Sequence, residues 1–512
     1  MPEPARGRSG YRDAMLIGID FGTTRTIVAG VDRGNYPVLT FLDTDGDAHE
    51  HFPSVVAWDD GRLVHGFEAL AAARTGAPHL RSIKRLLGEP TTHPATTVRI
   101  GDQELLLADV LAGYLGALRE ALPEEAGAAA VSVPAHAHGA QRFMTLEAFR
   151  RAGFEVVAML NEPSAAGFEF THRQPRSLSA RRTRVVVYDL GGGTFDTSLV
   201  QADGTSHAVL GSVGVNRLGG DDFDEVLADV VLEAAGRPRA QLTGPQREQL
   251  LDDCREAKER LTPQTRRMVV ELPTADGAGE PVVVAVDAFY AAASDLVSRS
   301  VSAMEPLVGS LDKDSSVAGI YLVGGGSGLP LVPRMIRERF GRRVHRSPYP
   351  AASTAIGLAI AADPDSGFTV SDRLSRGFGV FRERDAGTGV AFDPILTREH
   401  PVPEHGEIVV TRRYVAAHNL GWFRYVEHTS VDAVGEPRGD LVPYAEVIFP
   451  FDPALQGSDG SEETERLATV PVERRAGGPL VEETYTIDAA GIVSVRIADL
   501  TTGYAREYGL GR

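Results

Sequence analysis

Tyr188-Asp-Leu-Gly-Gly-Gly-Thr-Phe-Asp196 decides how this chain is read. An apolar strand pattern, Arg184–Tyr188, ends in Asp189, turns through Gly191, Gly192, Gly193 and Thr194, and resumes as a strand at Phe195–Gln201. The same order stands near the N-terminus. Met15–Asp20 is an apolar strand ending in Asp20, Phe21-Gly22-Thr23-Thr24 makes the turn, and Arg25–Asp32 returns as a strand. The two copies lie about 170 residues apart, too far for a solenoid, whose period is about 20–50 residues. They fit two similar lobes that offer phosphate-sized loops to a shared cleft. Turns of Gly and Thr let backbone N–H groups and hydroxyls approach phosphate oxygens. An Asp at each strand end, Asp20 and Asp189, is placed to hold Mg²⁺ through its water shell. One such turn alone reads as a hairpin; two matched copies do not. The strand–loop–strand order, with no Gly-x-x-x-x-Gly-Lys-Ser/Thr, excludes a Walker loop and a dinucleotide fingerprint.

Working outward, helical patterns fill the gaps at Glu104–Leu122, Gly139–Ala152, Asp221–Ala235, Glu248–Leu261, Ala285–Gly309 and Pro330–Phe340. Strands at Ala128–Val133, Val156–Leu160 and Val317–Val323 alternate with them, which indicates α/β layers. A third glycine turn, Gly324-Gly325-Gly326-Ser327-Gly328, could admit a flat ligand edge against backbone. A fourth, Leu218-Gly219-Gly220-Asp221, opens a helix whose N-terminal dipole favours an anion. Near residue 365 the helical period disappears. Ile408–Val415, Ala445–Phe451, Val481–Ile487 and Gly491–Ile497 read as strands, and Gln456–Glu465 as a mobile polar loop. The expected organisation is a tail at 1–13, a nucleotide-binding unit at 14–362, a linker at 363–376 and an all-β unit at 377–512.

The chain has 512 residues and a formal net charge of −18, against a general nucleic-acid or anionic-membrane binder. One cysteine, Cys254, excludes an internal disulfide and points to a reducing compartment. No run of about 18 apolar residues suits a bilayer span, so no membrane insertion is expected. Residues 1–13 have no apolar signal core, and a cytoplasmic location follows.

Together the motifs carry a resemblance to the DnaK-type heat-shock chaperones of the 70 kDa class, in the actin and sugar-kinase ATPase superfamily. The matching stretches are Ile17–Thr24, Val131–Pro134, Asn161-Glu-Pro-Ser-Ala-Ala166, Tyr188–Asp196, Leu218-Gly-Gly-Asp-Asp-Phe-Asp224 and Leu322–Gly326. The resemblance implies a two-lobed actin-like (duplicated RNase H-like) α/β ATPase domain followed by an all-β sandwich-like domain. It implies ATP/ADP and Mg²⁺ as cofactors. Lys84 matches the lysine that contacts the γ-phosphate and attacking water, and Glu162 the carboxylate near them. Asp189 and Asp196 match the metal-proximal and water-proximal carboxylates; Thr194 and Thr23-Thr24 match phosphate contacts. Lys258, Thr262 and the glycines Gly22, Gly191–Gly193, Gly219, Gly220 and Gly324–Gly326 complete the nucleotide set. Pro134 and Arg142 match a nucleotide-state switch and its relay.

The chain also departs from that pattern. Arg255 stands where a Glu meets the ribose, Glu259 and Gly328 where arginines meet adenine, and Ala351 where an acidic residue is usual. Arg255 and Glu259, four apart on one helix, are spaced to pair with each other. Phe368–Leu374 replaces the family's acidic–leucine linker, which puts interdomain coupling in question. The resemblance implies slow ATP hydrolysis coupled to binding of unfolded or extended polypeptide, with a J-domain co-chaperone and a nucleotide exchange factor as partners. The β unit matches the peptide-binding sandwich most closely at Glu483–Val495, and no helical lid is expected after it. The alternatives are a nucleotide-gated scaffold with little hydrolysis and, less favoured, a small-molecule kinase.

Overall fold

Both Asp-ending strands sit at the centre of a sheet built to the same plan. In the first sheet the order is Val156–Asn161, Ala126–Val133, Met15–Phe21, Arg25–Gly30, Phe52–Pro53. In the second it is Val344–Arg346, Val317–Val323, Arg184–Leu190, Thr194–Asp203, Ser206–Asn216, Thr369–Ser371. In each, the Asp-ending strand runs antiparallel to the strand after its turn and parallel to the neighbour on its other side. Such central strands are covered on both faces, so they read as unbroken apolar runs. Val185, Val186, Val187 and Tyr188 are all fully buried. This computed structural model describes residues 15–89, 91–173, 182–274, 279–308, 316–341, 343–371, 374, 376–397, 400, 402–403, 406–457 and 461–510. The tail expected at 1–13 and linker residues 372, 373 and 375 lie outside them.

Helix Ser353–Ala362 crosses the first sheet at very short range. A Cβ on Gly18 would stand 2.2 Å from Ala359 N, and one on Gly357 1.8 Å from Ala165 O. These two glycines are fixed by close approach of backbone to backbone.

The C-terminal strands form two four-stranded antiparallel sheets. One runs Gly389–Leu396, Gly377–Arg384, Leu420–Val431, Pro437–Pro450; the other runs Ile408–Val415, Leu480–Ile487, Val493–Asp499, Ala505–Gly509. Their inner faces share a core that includes Phe378, Tyr425, Phe449, Tyr485 and Ile497, as a sandwich requires. The sandwich also touches the first lobe. Ala490 and Ile492 pack into the core that holds Phe149 and Phe154, and Gly139 N–H donates to Glu427 Oε1 at 2.8 Å.

Two expectations need correction. The helix expected at Glu104–Leu122 begins only at Leu107, because Gln103–Leu106 pairs with Thr97–Ile100 as a hairpin turned at Gly101, φ +60°. The loop expected at Gln456–Glu465 instead enters a helix at Ser461–Ala468, and its residues 458–460 lie outside the described residues. Within the stretch expected as a linker, Thr369–Ser371 pairs in parallel with Ser206–Ala208 at the edge of the second sheet.

Candidate functional site: a cleft between two phosphate loops

The turns after the two Asp-ending strands face each other across a cleft. The approach is tight: a Cβ on Gly192 would lie 2.5 Å from Thr24 Oγ1, and one on Gly193 2.5 Å from Thr23 Cγ2. The space left between loops is a cavity of about 120 Å³. Asp20, Gly22, Thr23 and Thr24 line it from one side, Asp189, Gly191, Gly192 and Thr194 from the other. Lys84, Glu162, Gly220, Lys258, Gly324, Gly325 and Gly326 complete the expected residues on its wall. Thr262 lines a neighbouring, larger cavity instead. Gly193 and Gly219 stand behind the wall, where Gly219 packs on the backbone of Gly192 with room for no side chain.

The fourth glycine element works differently from the anion-binding helix end expected of it. Gly220 N–H donates to Gly191 O at 2.9 Å and Asp221 N–H to Gly192 O at 2.7 Å. The helix start thus locks the phosphate loop and spends its first free donors there.

Four acidic side chains surround one ammonium. Lys84, on a short helical turn at Lys84–Leu87, is buried against Glu162 with a hydrogen bond between them. Burial works against its charge, but Glu162 and Asp20 outweigh that and hold Lys84 above the usual lysine range. Burial pushes the Glu162 carboxyl up to about 7, against the pull of Lys84. Burial also raises Asp20, which accepts from Ser132 Oγ at 3.0 Å. Asp189 is driven well above the carboxylate range by burial and by neighbouring Glu162, Asp20 and Asp196. Such crowding of carboxylates is relieved by added positive charge.

Asp196 lies just behind this wall. Ala135 N–H donates to its Oδ1 at 3.1 Å, and His136 Nδ1 meets the same oxygen at 2.8 Å. Its Oδ2 is buried with no hydrogen-bond partner. His136 reaches Asn216 Oδ1 through Nε2 at 2.5 Å. Burial opposes its charge, yet Asp196 and Asn216 lift the imidazole to about 9, so the ring is held protonated at neutral pH. A Cβ on Gly214 would stand 1.9 Å from His136 Nδ1, so the strand leaves that position bare for the ring. Sequence reasoning passed over His136; its place two residues after Pro134 was the available signal.

Pro134 and Arg142 do not line the cleft. Pro134 O accepts from Ala137 N–H in the turn that presents Ala135 and His136. Arg142 donates to Asn161 Oδ1 at 3.0 Å and, from Nε and Nη2, to Ala490 O in the sandwich at 3.1 and 3.0 Å. Asn161 precedes Glu162 in sequence. One guanidinium therefore ties a sandwich turn to the residue beside a cleft carboxylate.

Across the cleft mouth, the spacing-based pairing of Arg255 with Glu259 does not form. Arg255 lies within 3.3–3.5 Å of Asp221, Asp224 and Asp252. Glu259 takes a two-pronged contact from Arg25 at 2.9 and 2.8 Å. Arg81 bridges to Asp252 with both terminal nitrogens, Nη1 at 2.8 Å and Nη2 at 2.7 Å. Lys258 Nζ holds Gly220 O and the Asp224 carboxylate, both at 2.6 Å. These partners compete better than the i,i+4 neighbour: helix Gly220–Ala234 brings Asp221 and Asp224 against Arg255, and Asp252 joins them from three residues back on its own helix.

A family model described as Hsp70 protein matches residues 16–374, which include every loop of the cleft. Curated relatives include proteins named chaperone protein HscA from Escherichia fergusonii and Escherichia coli, each 29% identical over 98% of this chain and 79% of the relative. One of the same name from Enterobacter sp. (strain 638) shows equal identity and coverage. The match runs through the cleft and most of the chain: the protein belongs to the Hsp70 family of ATP-binding, ATP-hydrolysing chaperones.

Proposed function

We propose that this chaperone binds Mg·ATP between the two phosphate loops, hydrolyses it slowly, and couples the nucleotide state to capture of extended polypeptide in the C-terminal sandwich. The observation that carries this reading is the convergence of Lys84, Glu162, Asp20, Asp189 and the two glycine loops on one cleft. The residues fit the cofactors. The loops form a cradle that a single Cβ would fill, and Asp196 Oδ2 is a buried acceptor without a donor. Among the described residues no group of three or more His, Cys, Asp or Glu side chains is placed to hold a metal alone. That suits Mg²⁺, which is commonly held by one or two carboxylates, phosphate oxygens and water. Bound there beside Asp20 and Asp189, the ion would supply charge neutralisation at the phosphates.

The protein's own groups divide the remaining work. Backbone N–H groups of the glycine loops and the hydroxyls of Thr23, Thr24 and Thr194 orient the phosphate chain. Lys84 supplies positive charge at the terminal phosphate. Glu162 and Asp196 accept hydrogen bonds from the attacking water and fix its direction, with Asp196 steadied by His136 and Ala135 N–H. Lys258 holds the helix start at Gly220 against the second loop.

Coupling has a physical route. Arg142 joins the sandwich turn at Ala490 to Asn161, next to Glu162, with Pro134 shaping the turn that carries His136. The strand Thr369–Ser371 ties the chain between the two units to the second sheet. Residues 14–362 act as the nucleotide unit, 363–376 as linker and 377–512 as the polypeptide-binding unit, which takes extended segments by added-strand contacts. Among the described residues no helix is long and apolar enough to cross a membrane. We place the protein in the cytoplasm, with a J-domain co-chaperone and an exchange factor as partners.

The test is phosphate release from Mg·ATP. Lys84→Ala lowers hydrolysis about a hundred- to a thousandfold, the scale for loss of one transition-state donor, while calorimetry still detects ATP binding. ATP binding without release above background by the unaltered chain would instead favour the scaffold reading. An array of apolar peptides probed with the full chain checks the sandwich.

A further inference from the structure

Past the phosphate loops the cleft opens into a second cavity of about 850 Å³, which shares Gly220, Lys258, Gly325 and Gly326 with the first. Arg255, the position matched to the ribose, lines the first cavity, and Glu259 and Gly328, matched to the base, line the second. Phosphates, ribose and base of one nucleotide therefore follow a single path from the loops outward. Neither base position supplies a cation to that path. Gly328 has no side chain, and the Glu259 carboxylate is taken by Arg25 at 2.9 and 2.8 Å.

A guanidinium from elsewhere in the fold stands at the bare position. Arg346 ends the strand Val344–Arg346 and pairs with Leu322 on the parallel strand Val317–Val323, two residues before the third glycine turn begins. That register carries its side chain alongside the turn. Its Nη2 lies 3.3 Å from where a Cβ on Gly328 would stand, so a side chain at 328 would contest the space it takes. Arg346 lines the cavity and is exposed, and among the described residues its side chain makes no hydrogen bond or ion pair. Arg334 on the same wall is already placed over the Tyr290 ring at 5.2 Å. The turn itself has room beside it, since a Cβ on Gly325 would meet nothing within 4 Å. Bare backbone with open space next to a planar cation makes a slot for a flat ring. A guanidinium stacks on a π face, which a compact ammonium does less well.

We propose that Arg346 is the residue that covers the base of the bound nucleotide, its guanidinium stacked on the purine face beside the third glycine turn, in the space a side chain at 328 would fill. The inference rests on the nucleotide reading of the cleft. The base is thus gripped from a neighbouring strand and not from the turn that borders it.

The experiment is calorimetry on the full chain with ADP, together with ribose 5-diphosphate, which lacks the base, read by its displacement of ADP. Arg346→Ala should weaken ADP roughly five- to thirtyfold, the scale of a cation held over a π face. Its affinity for ribose 5-diphosphate should stay within about twofold of the unaltered chain, which also shows that the variant folds. Arg346→Lys keeps the charge without the planar face, so most of the loss should remain. Adding Gly328→Arg to Arg346→Ala returns a guanidinium to the same space and should recover the ADP affinity. Unchanged ADP affinity in Arg346→Ala overturns the proposal and leaves the ATPase reading standing. An equal loss for both ligands, or full affinity in Arg346→Lys, assigns the effect to charge and overturns stacking on the base. No recovery with Gly328→Arg overturns the claim that the two positions share one space. Failure of the unaltered chain to bind ADP at all overturns both readings.

Discussion

His136 shows how much one side chain sets here. It is held charged by Asp196 and Asn216, with Glu162 also drawing on its charge, and through Asp196 Oδ1 it fixes the carboxylate that is proposed to orient water. Its pKa in the fold, about 9, lies above the ordinary 6.5. The stability it lends is therefore complete below its ordinary value and is lost as pH rises through about 9. Hydrolysis by the unaltered protein should fall over that rise, and His136→Ala should remove this limb of the pH–rate profile while lowering the plateau about tenfold or more. A profile that keeps the same alkaline limb in the variant would assign the limb to another group. Gly214 belongs to the same device, because any side chain there displaces the ring.

At the scale of elements, the helix Gly139–Arg151 is the joint between nucleotide lobe and sandwich. Its first N–H donates to Glu427, a carboxyl that burial lifts to about 7 against the backbone bond and the charges of Arg376 and Arg142. Being raised from 4.5, this group favours the docked arrangement most below that value, and its contribution disappears as pH climbs through about 7. Glu427→Gln keeps an acceptor for Gly139 and removes the buried charge. Donor–acceptor fluorescence between the lobe and the sandwich should then show docking that no longer weakens between about pH 6 and 8. Unchanged pH dependence would take Glu427 out of the joint.

This scale also divides what the sequence made legible from what it did not. The two Asp–glycine turns announce the cleft because their chemistry is local: residue type, order and strand pattern coincide within ten positions. Strand Val317–Val323 was readable to the residue for the same reason. The pairing of Arg25 with Glu259 was not, since they are 234 residues apart, nor were the contacts of Arg255 with Asp221 and Asp224 on another helix. Helix spacing favoured the wrong pair. His136 escaped notice because its partners come from two other strands, and the docking of Thr369–Ser371 because three residues of strand pattern carry no signal until a sheet edge is offered.

For the whole molecule, the segment between the units is placed at the edge of the second sheet, where the proposed coupling would pass. Thr369 N–H donates to Thr205 O at 3.1 Å at the open edge of the second sheet. Thr369→Pro removes that donor from an edge strand. Stimulation of hydrolysis by peptide should be lost, with the unstimulated rate kept within about twofold, because no cleft residue is touched. Stimulation that persists would show that Arg142 and the lobe–sandwich joint carry the coupling without this strand.

The ion bridges at the cleft mouth have a consequence of another kind. Arg25–Glu259 and Arg81–Asp252 span from one lobe to the other, and their side chains are between 18 and 44% exposed. Charges so placed are screened by dissolved ions, whose reach shortens from about 8 Å at physiological strength to about 3 Å at 1 M. The two bridges across the mouth thus weaken as salt rises. Raising salt to about 1 M should therefore speed release of bound ADP, read by stopped-flow with a fluorescent analogue, and an unchanged release rate would show that these bridges do not hold the nucleotide in.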